Sequence, residues 1–108
     1  MSFKKVTAII NAGCLEKVEL CLHEIKISGM SVIKGKGYGE YANFFTNDWN
    51  VDHVQVSVLV KTEKVREVVD AIMDAAHCGS TGDGLISVMP VDELYNIRTK
   101  LQVQLDEI

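Results

Sequence analysis

Apolar and polar residues alternate in four short segments of the chain, with the period of two that turns one face of a strand toward a core. These segments are predicted as the strands Val6–Ile10, Met30–Ile33, Val54–Val60 and Leu85–Met89. Pro90 is expected to stop the fourth strand, because proline has no N–H for a strand ladder. A short helical turn over 91–95 and a polar, extended segment over 96–104 are expected to follow.

Two other segments carry apolar residues with helical spacing. In the first, the apolar positions begin at Leu15, and Gly29 is expected to end the helix as a left-handed cap. In the second, Thr62 is expected as the N-cap, and Ala76 is the last apolar position. The segment Gly35–Asp52 has neither period, and a loop of this length inside a compact domain is typically functional.

The element order is therefore β-α-β, a long loop, and β-α-β. Two such halves packed in two layers give a ferredoxin-like α+β sandwich, with an antiparallel sheet and both helices on one face. A length of 108 residues suits one domain, so residues 1–108 are interpreted as a single unit. Ile9 and Leu59 place apolar groups on the second face of the sheet, which predicts an oligomer.

Composition and charge exclude several classes of function. The chain is 47% hydrophobic with a formal net charge of -4, so it can form a core but lacks the clustered basic face that nucleic acid requires. No stretch approaches the roughly 20 apolar residues of a membrane span, so no direct membrane insertion is expected. The N-terminus has no signal-peptide core, and a cytoplasmic location is expected.

The cysteines and histidines give no sign of catalysis. Cys14, Cys21 and Cys78 are odd in number and have no CxxC spacing, so each is interpreted as a small buried apolar residue and not as part of a disulfide framework. His77 precedes Cys78 directly, but neighbouring side chains at a helix end point apart, so no catalytic dyad is expected. The protein is therefore predicted not to be an enzyme.

Five segments resemble, in order and in position, those of the PII signal-transduction proteins. They are Ala8–Ile10, Ile27–Val32, Lys36–Gly39, Gly82–Gly84 and Ile97–Thr99. The resemblance implies a homotrimer that binds an adenine nucleotide (ADP, AMP or ATP, with Mg²⁺ as a further ligand) in clefts between subunits. It also implies a T-loop, here about residues 40–52, that controls a target protein, and a C-terminal tail of about residues 96–108.

The nucleotide site that the resemblance implies combines glycine-containing turns from two subunits. One subunit would contribute the base of the T-loop and a glycine turn, and its neighbour the start of the second strand and an arginine. The implied residues are Gly37, Tyr38, Gly39, Thr81, Gly82, Asp83 and Gly84 from the first subunit, and Gly29, Met30, Ser31 and Arg98 from the neighbour. Glycine lets backbone N–H groups approach phosphates, and arginine supplies a fixed cation.

Four positions depart from the family pattern and lower the positive charge near the phosphates. Leu85, Asn96 and Glu40 stand where the family has basic residues, and His53 replaces a lysine at the far end of the T-loop. Each lost charge-assisted hydrogen bond costs about 1.5–3 kcal/mol, and a triphosphate carries the most charge. Weaker ATP binding than in typical members, and a relative preference for ADP or AMP, are therefore expected.

The T-loop is shortened and rich in aromatic residues. It lacks the tyrosine that typical members have uridylylated, and Tyr41 replaces the glutamine that helps bind magnesium and 2-oxoglutarate, so neither property is expected here. Tyr41, Phe44, Phe45 and Trp49 are interpreted as a surface for a partner, either a membrane transporter or a metabolic enzyme. The alternatives are that the segment covers a ligand, or that these rings fold back and pack on the trimer.

Two further classes of function stay open. His23, His53, His77 and Cys78 are candidate ligands in a trimeric metal-binding or metal-efflux-associated regulator, because imidazole and thiolate suit transition metals, although their spacing is not that of a zinc site. The other class is an assembly module with an inactive nucleotide site, since so few basic residues remain.

Overall fold

The computed structural model describes residues 2–27, 29–35, 53–79 and 83–104. The elements are β1 (Phe3–Asn11), α1 (Leu15–Glu24), β2 (Met30–Gly35), β3 (His53–Lys61), α2 (Val65–Ala76), β4 (Gly84–Val91), β5 (Tyr95–Asn96) and β6 (Leu101–Gln102). A 3₁₀ turn precedes each helix, over Ala12–Cys14 and Thr62–Lys64. The predicted T-loop lies outside the described residues, as do Gly37, Tyr38, Gly39, Thr81 and Gly82.

Strand β1 lies inside a four-stranded antiparallel sheet with the order β2-β3-β1-β4. It pairs with β3 from Phe3, opposite Lys61, to Asn11, opposite His53, and it pairs with β4 on its other side. Helices α1 and α2 pack against each other, and α2 packs against β1. This is the ferredoxin-like sandwich that the sequence predicts. Among the described residues, no helix has both the length and the apolar character needed to cross a membrane.

The core lies between the two helices and one face of the sheet. Alternate residues of β1 and β3 are buried there, as the period of two predicts, and so are the helix positions with helical spacing. The buried residues include Val6, Ala8, Ile10, Val18, Leu22, Val54, Val56, Val58, Val60, Val68, Ile72 and Ala76. Burial contributes about 1.5–3 kcal/mol for each fully covered side chain of valine, leucine or isoleucine, so this layer is the main source of stability.

The second face of the sheet, here called the open face, carries three rows of residues that the strand register aligns. The middle row consists of the hydroxyl residues Ser31, Ser57, Thr7 and Ser87. Thr7 Oγ1 lies 3.2 Å from Ser57 Oγ. On either side of this row are exposed apolar side chains, which are Ile33 and Leu85 in one flanking row and Leu59 and Met89 in the other. Lys5 lies between Leu59 and Met89 in the second flanking row, so the open face combines apolar and hydroxyl side chains with a positive charge.

The end of α1 differs from the prediction. Lys26, and not Gly29, takes the left-handed conformation that ends the helix, with a φ of 66°. The N–H of Lys26 donates to the carbonyl of His23 at 3.0 Å, and that of Ile27 donates to the carbonyl of Leu22 at 3.0 Å. These two bonds form a Schellman motif. The expected glycine cap is wrong: Gly29 has a φ of 89°, but it lies at the entry to β2.

Two other local expectations are also wrong. Thr62 does not cap α2, because its hydroxyl donates to the carbonyl of Ser2 at 3.0 Å and contacts the Ser2 hydroxyl. Thr62 thereby ties the N-terminal segment to the end of β3. Strand β4 does not stop at Pro90 but continues to Val91. It can do so because β4 is an edge strand, the position at which a sheet tolerates proline.

The residues after β4 form a small hairpin instead of a helical turn and an extended segment. Strand β5 pairs with β6, with Tyr95 opposite Gln102. The N–H of Lys100 donates to the carbonyl of Asn96 at 2.9 Å and closes the turn between the two strands. Lys100 has a φ of 62°, the left-handed conformation that such a tight turn requires.

Lys26→Gly is expected to raise the free energy of unfolding by about 0.5–1 kcal/mol, because glycine adopts a positive φ without the steric cost of a Cβ. Urea unfolding of both proteins at equal concentration measures the change. Lys26→Ala is the matched control: it removes the same long side chain but keeps the Cβ, and its stability should stay close to that of the parent. Equal stability of the glycine and alanine variants would contradict a strained Lys26.

Candidate functional site

Gly84 begins β4 directly after the predicted glycine turn. Its φ is 109°, and a Cβ built on it would lie 1.8 Å from the carbonyl oxygen of Ile9 in β1. No side chain fits at this position unless the backbone moves. Gly84 is therefore required by the close approach of β4 to β1, independently of any ligand at the turn.

The carboxylate of Asp83 is directed back toward the end of α2. Its Oδ2 accepts hydrogen bonds from the N–H groups of Cys78 at 3.0 Å and Gly79 at 2.9 Å. The same oxygen lies 3.4 Å from Nδ1 of His77. Asp83 thus fastens the segment between α2 and β4, and this oxygen is already occupied by backbone donors. The resemblance implies that Asp83 contacts a nucleotide, and the structure shows that its side chain also holds the backbone after α2.

An open groove of about 620 Å³ lies between α2 and β4, next to this turn. Its lining includes the apolar side chains of Val69, Met73 and Val88, together with the polar side chains of His77 and Asp83. The groove thus has an apolar wall, and its lining also includes a second carboxylate residue, Asp74.

Arg98 is exposed on the turn between β5 and β6. The side chain of Asn96 builds this turn: its Oδ1 accepts hydrogen bonds from the N–H of Arg98 at 2.9 Å and from that of Thr99 at 3.4 Å. Asn96 is expected from the sequence only as a lost basic residue, and its role in this turn is not predicted. The signal that could have found it is an asparagine two positions before the arginine, the spacing of an Asx turn.

The start of β2 and the start of β4 lie at opposite edges and opposite ends of the sheet. Two strands separate β2 from β4, which corresponds to roughly 14 Å at the usual strand spacing. Met30 is aligned with Val58, whereas Gly84 is aligned with Ile10 at the other end of the sheet. One chain therefore does not bring its own Gly29, Met30 and Ser31 next to Asp83 and Gly84.

The end of β2, in contrast, lies at the same end of the sheet as the start of β4. The register aligns Lys34, Val54, Ile10 and Gly84 in one row across the four strands. The residues that follow β2 in sequence therefore leave the sheet at the end where β4 enters it. The end of β2 and the start of β4 thus lie at the same end of the sheet but on opposite edges, and residues 36–39 and 80–82 are outside the described ranges.

Besides Asn96, the structure describes two positions that depart from the family pattern, Leu85 and His53. Leu85 is 50% exposed directly after Gly84, where it offers an apolar side chain and no charge. His53 is only 2% exposed at the start of β3, between Asn11 and Gly35 of the neighbouring strands. Leu85 therefore adds no positive charge beside Gly84, and the side chain of His53 is enclosed by the sheet.

The candidate metal ligands do not gather in one place. His23 is exposed on α1, His53 is buried in β3, and His77 and Cys78 follow α2. In the part of the chain that the structure describes, no group of three or more His, Cys, Asp or Glu side chains could hold a metal ion. The metal-binding alternative therefore gains no support from these residues.

The cysteines differ from one another in exposure. Cys14 is buried as predicted, but Cys21 is only partly buried and Cys78 is exposed, so the prediction for Cys78 is wrong. Cys78 is exposed because it lies beyond the last turn of α2. Burial raises the pKa of the Cys14 thiol, as does a hydrogen bond with Cys78, and burial also raises the pKa of the Cys21 thiol.

Comparisons of the sequence and of the structure with known proteins both point to the same family. The family model described as nitrogen regulatory protein P-II matches residues 3–101. The chain is similar to the nitrogen regulatory protein P-II of Azospirillum brasilense, with 37% identity over 103 residues that cover 89% of this chain and 92% of the relative. The relative from Rhizobium meliloti is 35% identical, with the same two coverages. The crystal structure of Arabidopsis thaliana PII bound to citrate matches with a TM-score of 0.79 and 30% identity, over 95% of this chain and 90% of that one.

Gly84→Ala is expected to lower the free energy of unfolding by about 2–4 kcal/mol, because the added Cβ collides with the Ile9 carbonyl at a positive φ. Gly29→Ala is the matched control. Its φ is also positive, but nothing lies within 4 Å of the added Cβ, so a loss of about 1 kcal/mol is expected. Urea unfolding of the two variants compares them directly. Equal losses would show that the contact with Ile9 is unimportant.

Proposed function

Because this chain belongs to the nitrogen regulatory P-II family, whose members are regulators and not enzymes, we propose that it is a trimeric regulator that binds an adenine nucleotide between subunits. Its T-loop then controls a target protein in the cytoplasm. The observation that carries the proposal is that the start of β2 and the start of β4, two parts of the expected nucleotide site, lie at opposite edges and opposite ends of the sheet in one chain. A neighbouring subunit is needed to bring such parts together.

The open face of the sheet supports the trimer. Ile33, Leu59, Leu85 and Met89 are between 36% and 55% exposed in the single chain. They flank the row of hydroxyl residues, so the face offers apolar contact at its sides and short hydrogen-bonding groups in its middle. Covering these side chains in a neighbour's sheet removes apolar surface from water, at about 25 cal/mol per Å².

The division of the nucleotide site between subunits follows the family resemblance. One subunit contributes Gly37–Gly39 and Thr81–Gly84, and its neighbour contributes Gly29–Ser31 and Arg98. The register supports the contribution of Gly37–Gly39 and Thr81–Gly84 by one subunit, because the end of β2 and the start of β4 lie at the same end of the sheet. The Asx turn that presents Arg98 to solvent supports the contribution of the neighbouring subunit.

The preferred ligand is expected to carry fewer than three phosphates. Arg98 is the basic residue retained from the family set, whereas Leu85 and Asn96 are neutral and Glu40 is acidic. Since each missing charge-assisted bond penalises ATP more than ADP or AMP, the site favours the shorter nucleotides. The groove beside Gly84 offers apolar wall for part of such a ligand.

The partner is expected to contact the aromatic segment of the T-loop. Tyr41, Phe44, Phe45 and Trp49 include the residue types that are enriched at the anchors of protein interfaces. A membrane transporter and a metabolic enzyme are both consistent with a regulator of this family. Identification of the target requires capture by the purified trimer with and without ADP, compared with a variant in which the four aromatic residues are replaced by serine.

Calorimetric titration with ADP, AMP and ATP tests nucleotide binding and its order. ADP and AMP are expected to bind at least as tightly as ATP. Arg98→Ala should weaken ADP binding by roughly 10- to 100-fold, the effect of one charge-assisted hydrogen bond. Lys100→Ala is the matched control, because it removes a positive charge from the same turn, and it should change the affinity by less than about threefold.

Two results of this titration would count against the proposal in different ways. ATP binding about tenfold tighter than ADP, some 1.4 kcal/mol, would contradict the predicted preference but not the site. No heat and no thermal stabilisation at millimolar nucleotide would favour the assembly module with an inactive site. Because the Arabidopsis relative is bound to citrate, citrate is titrated in parallel as a competing anion.

Leu59→Glu is expected to convert the trimer to monomers, because it places a carboxylate on the open face where a neighbour would bury it. Leu20→Glu is the matched control: it makes the same change at a leucine that is 62% exposed on α1. Light scattering coupled to size exclusion gives the mass of each. A monomeric parent protein, or dissociation of both variants, would contradict a trimer built on the open face.

A further inference from the structure

Two thiols meet where the start of α1 approaches the end of α2. Cys14 directly precedes α1 and Cys78 follows α2, and their Sγ atoms lie 3.6 Å apart. Both sulfur atoms are near the carbonyl oxygen of Ala76, at 3.9 Å for Cys14 and 3.8 Å for Cys78. We propose that Cys14 and Cys78 form a reversible disulfide by exchange with a small-molecule disulfide such as glutathione disulfide.

The third thiol is kept apart from this pair. Sγ of Cys21 donates to the carbonyl of Val18 at 3.2 Å and to that of Ala71 at 3.4 Å. The contacts that the structure gives it are thus backbone oxygens and not sulfur. Cys21 therefore serves as an internal control for the reactivity of the other two cysteines.

The different exposure of the two thiols sets the order of the reaction. The thiolate of exposed Cys78 attacks one sulfur of glutathione disulfide, releases one glutathione thiolate and leaves a mixed disulfide on Cys78. Buried Cys14, whose raised pKa disfavours it as the first nucleophile, then attacks Sγ of Cys78 and expels the second glutathione thiolate. Two protein thiols lose two electrons and two protons, and one glutathione disulfide becomes two glutathione thiols.

The bond links the thiol pair to the glycine turn. The sulfur atoms must approach from 3.6 Å to about 2.05 Å, and exposed Cys78 can move more readily than Cys14, which is 6% exposed in the core. The N–H groups of Cys78 and Gly79 hold Asp83, the residue before Gly84. Oxidation therefore displaces Asp83 and weakens ADP binding, a consequence that rests on the function proposed above.

The exchange is tested on the full chain in buffers of stepped glutathione disulfide to glutathione ratio. After acid quenching, free thiols are alkylated, and mass spectrometry of the intact chain and of its peptides reads the products. The parent and Cys21→Ser should each lose two hydrogen atoms and yield a linked Cys14–Cys78 peptide, reversed by reduced glutathione. Cys14→Ser should stop with one glutathione on Cys78, and Cys78→Ser should take up none while folded.

The proposal is overturned if the parent stops at the mixed disulfide, links Cys14 to Cys21, or joins chains through Cys78. The peptide map of the parent decides this even where Cys14→Ser fails to fold. ADP titration of reduced and oxidised Cys21→Ser tests whether oxidation weakens ADP binding. At least about fivefold weaker binding is expected after oxidation. Equal affinities overturn the coupling, whereas a reduced protein that binds no ADP overturns the nucleotide site and leaves the thiol exchange standing.

Discussion

The pairing of β1 with both β3 and β4 sets where β4 enters the sheet relative to the other strands. Its register places Ile10 between Val54 and Gly84, which brings the start of β4 into line with the end of β2. The same register turns Val6 toward the helices and Thr7 into the hydroxyl row of the open face. A slip of one residue would exchange the two faces, so the buried core and the proposed trimer surface are consequences of a single constraint.

Much of this architecture could be predicted from the sequence, because one-sided burial leaves a strong periodic signal. The alternation over 54–60 gave β3, and the helical spacing after Leu15 and before Ala76 gave both helices. The pattern of apolar residues could not predict local features that depend on tertiary contacts. Nothing about Lys26 in the sequence indicates that it adopts a left-handed conformation. Pro90 is tolerated because β4 is an edge strand, and the position of β4 in the sheet cannot be read from the proline itself.

The candidate site was predicted less completely, for the same reason. The glycine motif predicts a turn before β4, but the need for glycine at Gly84 comes from a contact with Ile9, which is distant in sequence. A count of lost charges marked Asn96 as a deficit and missed the turn that its side chain builds. Cys14 and Cys78 had no local spacing to suggest a pair, because their proximity depends on how α1 and α2 pack.

In the proposed function, a nucleotide site shared by two subunits would tie ligand binding to assembly. A nucleotide that contacts two subunits at once would bind the trimer and not the single chain, so its binding would stabilise the trimer by linkage. Under the same proposal, a low number of cations would shift selectivity toward ligands with less charge. The thiol pair lies at the other end of the segment 77–84, and Asp83 joins the two ends through the amides of Cys78 and Gly79. If the proposed disulfide and the proposed ligand site both exist, a chemical change at the sulfur atoms would reach the glycine turn through Asp83.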